Sequence, residues 1–138
     1  MMNFFVGQTA TFSRTVTETD IVMFAGLSGD YNPVHVDREY AVDTRFGNRI
    51  AHGLLTASFL SRLLGMELPG KGSVYLEQTL KFLKPVFIGD TITARAEIIE
   101  IDPDRGILLL ETVCRKQDNT VVLEGTAKMM MPKEGAKI

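Results

Sequence analysis

The pattern of apolar and polar positions divides the chain into an opening strand, a helical middle and a run of strands. Residues 9–16 read as the first strand. Thr17-Glu18-Thr19-Asp20 fits a reciprocal helix cap, with Thr17 as N-cap and Asp20 three residues on. Ile21, Phe24, Ala25 and Ser28 follow at helical spacing and define one buried face. Gly29 suits the position after the helix end, because glycine takes a positive φ cheaply. A short helix is expected between Pro33 and Asn48, with Asp37 as N-cap and Gly47 as terminator. His52 to Leu64 is apolar nearly all round, which predicts a helix about 20 Å long and buried on most sides, ended by Gly65 and Pro69. From Ser73 the period becomes two. Val74, Leu76, Leu80 and Phe82 alternate with Tyr75, Glu77, Thr79 and Lys81, Gln78 being the polar break. Strands are then expected at 90–101, 107–117 and 120–131, joined by turns at Asp102–Gly106 and Gln117–Asn119. An antiparallel sheet wrapped around one apolar helix buries both elements economically, so the expected class is α+β.

Candidate chemistry lies between the helices. Asp30 and His35 stand five residues apart on Gly29-Asp30-Tyr31-Asn32-Pro33-Val34-His35, a stretch that Gly29 and Pro33 keep out of regular helix. A helix then starts at His52-Gly53, and its first N–H groups lack internal partners. A carboxylate, an imidazole and free N–H donors are the parts needed to add water across, or remove it from, a double bond next to a carbonyl. Alone, Asp30 is also an ordinary turn residue and His35 an ordinary structural histidine. His52 reads as structural or orienting.

Composition narrows the setting. With 138 residues, 45% of them hydrophobic, the chain is expected to form a single globular domain spanning 1–138. A net charge of −2 without a basic stripe gives no footprint for nucleic acid. Cys114, the single cysteine, is expected to be a small core residue in a reducing, cytoplasmic setting. The N-terminal stretch Met1–Gly7 lacks the charge and the apolar run of a signal peptide, and nothing approaches the ~20 apolar residues of a membrane span.

The stretch Phe24–Asp37 with its Asp-x-Asn-Pro-x-His element, the turn Ile50-Ala51-His52-Gly53, and the segments Leu68–Leu76 and Phe82–Asp90 together resemble the MaoC-like, (R)-specific enoyl-CoA hydratase family. That resemblance implies a hot-dog fold, a curved antiparallel sheet around a central helix, working as a homodimer with sites at the subunit interface. It also implies an acyl-CoA thioester substrate and no cofactor or metal. Asp30 becomes the base that activates water, and His35 the group that shares the water and supplies a proton to C2. The Gly53 N–H becomes the donor to the thioester carbonyl, and Asn32 orients the water or the loop. Ser61, Leu64 and Met129 are candidates for the far end of an acyl tunnel, which the bulk of Leu64 and Met129 restricts to short chains. Lys81 and Lys84 are candidates for the CoA phosphates. Two rival readings are an acyl carrier protein-linked dehydratase and a non-catalytic acyl-CoA-binding module. His52–Leu64 contains no Asp or Glu, which argues against enzymes of this fold that carry their carboxylate on the central helix.

Overall fold

The computed structural model describes residues 3–132, so Met1 and Met2 of the N-terminal stretch lie outside it. Strand β1 (Thr9–Thr15) leads into helix α1 (Glu18–Ser28), and two short helices, α2 (Pro33–Val36) and α3 (Arg38–Val42), follow. Helix α4 (Gly53–Met66) precedes β2 (Val74–Gln78), β3 (Lys81–Phe82), β4 (Thr91–Asp102), β5 (Ile107–Arg115) and β6 (Val121–Met130).

The strands form one antiparallel sheet in the order β1-β4-β5-β6-β2, with β3 also pairing with β6. Ile92, Ala94, Ala96 and Ile98 alternate along β4 and are fully buried. Helix α4 lies chiefly against this strand. The two alanines give room for a helix carrying Leu60, Leu63 and Leu64, all without solvent exposure. A register shift between Ile98 and Glu100 on β4 is the kind of irregularity that bends a strand and lets a sheet curl around a helix.

The cap on α1 forms in both directions: the Thr17 hydroxyl accepts from the Asp20 N–H, and the Asp20 carboxylate accepts from the Thr17 N–H. Gly29 ends the helix at φ 81°. The hairpin turns fall where expected, with Gly106 at φ 69° and Asn119 at φ 72°.

Four expectations need correction. The segment after Pro33 makes two short helices rather than one, because Asp37 ends α2 and its carboxylate caps α3 through the Glu39 and Tyr40 N–H groups. Helix α4 passes through Gly65 and ends at Met66. It is buried along one side, while Leu54, Ser58, Ser61 and Arg62 remain exposed. On β2 the buried parity is reversed: Val74 and Leu76 are exposed and Tyr75 packs against the core. There β2 ends the sheet, and a register shift between Tyr75 and Glu77 breaks the simple alternation.

Candidate active site

The Asp30–His35 loop is built by short-range polar contacts. The Asp30 carboxylate accepts from the Asn32 N–H at 3.1 Å, and the Asn32 side chain accepts from the Val34 N–H at 3.2 Å. Pro33 starts α2, where its missing N–H costs nothing. Asn32 thus shapes the loop and caps α2, which settles its position.

His35 is held from behind. Its Nδ1–H donates to the Ile50 carbonyl at 2.8 Å, and Arg49 Nε donates to its backbone carbonyl at 2.8 Å. The Ile50 N–H returns a bond to the Val34 carbonyl, and the Ala51 N–H bonds the Val86 carbonyl. With Nδ1 protonated and occupied, Nε2 presents a lone pair. It lies 3.9 Å from Asp30 Oδ2, too far for a direct hydrogen bond and a fitting span for one bridging water. Desolvation by burial is the main cause holding the His35 pKa below its ordinary 6.5, with His52 adding to the effect. The Ile50 contact and the Asp30 charge push the other way without prevailing.

His52 is the N-cap of α4, yet its side chain makes no cap bond. Instead Nε2 contacts the Asp30 carbonyl at 2.9 Å, and the ring stacks on His35 with centroids 3.9 Å apart and planes 28° from parallel. Gly53 follows at the first helical position, where its N–H has no helical carbonyl to reach. A Cβ on Gly53 would lie 2.6 Å from the Phe82 ring, so any larger residue must push that half-exposed ring aside.

These groups border one cavity of about 500 Å³. Asp30, His35, His52 and Gly53 line it together with the apolar Phe24, Leu54, Phe82, Val86 and Leu123. Lys84 and Arg45 are exposed beside it, whereas Lys81 lines a separate hollow on the sheet with Arg95 and Glu111. Ser61, Leu64 and Met129 are not brought to the cavity. Ser61 falls on the exposed side of α4, and Leu64 and Met129 are sealed in the core. Pattern reading missed Phe82 and Arg45 as cavity residues. It treated Phe82 as an inward strand position, and the break at Gln78 was the one hint that the alternation fails there.

Asp30, His35 and His52 bring potential ligand atoms within 4.8 Å of one another. The set does not fit a metal ion. Imidazole lone pairs lie in the ring plane, so two stacked rings aim them side by side rather than at one point, and His52 Nε2 is committed to the Asp30 carbonyl.

Comparison with known proteins gives the family. The family model of the MaoC like domain matches residues 5–115. The chain belongs to the MaoC-like family. An (R)-specific enoyl-CoA hydratase from Rhodospirillum rubrum is 46% identical over 94% of this chain and 89% of the relative. A 3-hydroxybutyryl-CoA dehydratase from Methylorubrum extorquens is 43% identical, covering 94% and 82%. Among solved structures, the (R)-hydratase from Aeromonas caviae superposes with a TM-score of 0.92 at 41% identity, covering 96% of this chain and all of that one. The hot-dog fold is therefore that of the MaoC-like hydratases, and relatives this similar along nearly their whole length are carbon–oxygen lyases.

Proposed function

We propose that this protein, read as one hydratase domain, adds water to trans-2-enoyl-CoA to give (R)-3-hydroxyacyl-CoA and catalyses the reverse dehydration. The observation that carries the reading is the 3.9 Å gap between Asp30 Oδ2 and His35 Nε2, beside the start of α4 in a largely apolar cavity.

Both groups are acceptors at rest, so one water donates a hydrogen to each. The C3 carbon of an enoyl thioester is electrophilic because the carbonyl withdraws electrons through the double bond. As the water oxygen bonds to C3, the Asp30 carboxylate takes one of its protons as the base that makes the oxygen nucleophilic; the new hydroxyl, still between the two groups, then gives its hydrogen to His35 Nε2 as Asp30 returns the one it took. His35 Nε2 then hands a proton to C2. One water supplies both the hydroxyl and the hydrogen, and delivery from one side makes the addition syn. With its only hydrogen engaged by Ile50, His35 must first be loaded before it can supply C2. The Gly53 N–H stabilises charge on the thioester oxygen, a contribution worth ~10²–10³-fold where such donors have been removed elsewhere.

Exposed Lys84 and Arg45 give a CoA phosphate two cations beside the cavity. A homodimer is part of the proposal: β2 ends the sheet with Val74 and Leu76 exposed, and α1 leaves Met23 and Leu27 uncovered. Cys114 is buried, and burial pushes its thiol up to about 12, consistent with an inert core residue in a reducing, cytoplasmic setting. Loss of the enoyl thioester absorbance of crotonyl-CoA tests the activity, and chiral analysis of the product tests the hand. Release of free thiol instead would indicate a thioesterase, and binding without turnover a silent module.

A further inference from the structure

We propose that His52 is a positioning residue that ties the Asp30 loop to the start of α4 and so fixes the base relative to the Gly53 donor. This rests on the proposed hydratase reading and adds to it the device that sets the site's internal geometry.

Three observations converge on it. The N-cap side chain of a helix ordinarily accepts from the N–H groups of the first turn. His52 occupies that position and its side chain makes no such bond; the Leu55 N–H turns to the His52 backbone carbonyl at 3.0 Å, and the Gly53 N–H is left for a ligand. Its Nε2–H donates instead across to the Asp30 carbonyl at 2.9 Å, linking residues 22 positions apart in sequence. Its Nδ1 is buried without a protein hydrogen-bond partner among the described residues, so the ring offers a lone pair there and keeps its hydrogen on Nε2.

Packing makes the tether rigid. His52 is 2% exposed, held between the Phe24 ring at 4.8 Å and the His35 ring at 3.9 Å. Gly53 is its covalent neighbour, so any movement of this imidazole moves the helix start and the Asp30 backbone together. Asp30 needs such support, since its side chain is about half exposed. A fixed separation between water-holding carboxylate and carbonyl-holding N–H is what an addition across C2–C3 requires, and small displacements in such sites are costly.

A double-mutant cycle tests this. His52→Phe keeps a stacked ring and removes the donor, whereas His52→Gln keeps an N–H near the Nε2 position. In the otherwise native protein, His52→Phe should lower kcat at least tenfold with KM changed less than threefold, and His52→Gln should stay within about threefold of wild type. With Asp30→Asn already present, His52→Phe should change the residual turnover less than twofold, because the group it positions is gone. Equal losses from His52→Phe in both backgrounds, or His52→Gln as damaged as His52→Phe at matched melting temperature, would overturn the tether. Full turnover in Asp30→Asn alone would instead strike the proposed function and take the tether's catalytic value with it. Should His52→Phe not fold, nitrogen-15 NMR of wild type at neutral pH decides: hydrogen on Nε2 upholds the assignment, and hydrogen on Nδ1 overturns it.

Discussion

His35 has one nitrogen committed and one free, and that asymmetry determines its chemistry. The Ile50 carbonyl holds the Nδ1 hydrogen, so Nε2 can bind water as an acceptor while the ring is neutral. Protonation at Nε2 removes the lone pair and the water with it. Because burial holds the pKa below 6.5, kcat/KM should stay level as pH falls through 7 and decline only below that ordinary value. A pH profile of crotonyl-CoA hydration checks this, and an acid limb centred above pH 7 contradicts it. Asp30→Asn and His35→Ala should each lower kcat by at least ~10²-fold; Asp30→Asn should leave the melting temperature nearly unchanged, since Asp30 is partly exposed, whereas His35→Ala removes a buried ring and its Ile50 bond and should lower it while the protein still folds. That Asp30 and His35 come together on one loop was legible in sequence from the Asp-x-Asn-Pro-x-His spacing, while the roles expected of them came from the family resemblance. The bond from His52 to the Asp30 carbonyl was not legible, because no local pattern joins positions 22 residues apart.

At the scale of elements, the start of α4 lies against Phe82 of β3. Gly53 lies under the Phe82 ring so closely that an added methyl must displace it. Gly53→Ala should therefore lower kcat/KM by about tenfold or more, since a shifted ring and a crowded N–H both hinder the thioester. Phe82→Leu in the same chain should recover part of the loss, and kinetics of the single and double variants settle it. No recovery would place the whole defect at the N–H. Leu64 belongs to the other side of α4. Fully buried among core residues, Leu64→Ala should cost ~2–5 kcal/mol in urea unfolding and leave the preference among C4 to C12 substrates unchanged. A shifted chain-length profile in the folded variant would return Leu64 to the acyl tunnel. Helix α1 was well marked in sequence by its cap and Gly29, and the hairpins by their turn residues, whereas Gly65 did not end α4 and Asp37 split the helix expected after Pro33. The β2–β3 region was not well marked, because an end strand has no partner on its outer side to enforce which parity points inward.

For the whole molecule, β2 is an end strand of the sheet among the described residues, flanked by exposed Val74 and Leu76. Joining two such edges would pair backbone groups and cover apolar side chains, so light scattering should give twice the chain mass. A stable, active monomer would contradict the homodimer. An antiparallel sheet around one helix was legible from the order of one strand, a helical middle and four further strand segments, because only the 52–64 stretch is apolar enough to serve as the buried axis; the hot-dog fold followed from the family resemblance. The position of the cavity was less legible, since it depends on how Phe82 and Leu123 approach the loop from the far end of the chain. The most direct test of the central claim is hydration of crotonyl-CoA by the purified protein, with chiral analysis of the product, alongside Asp30→Asn. Wild type should give (R)-3-hydroxybutyryl-CoA, and the variant should turn over at least ~10²-fold more slowly. Absence of hydration by folded wild-type protein, an (S) product, or undiminished turnover in Asp30→Asn would contradict that claim.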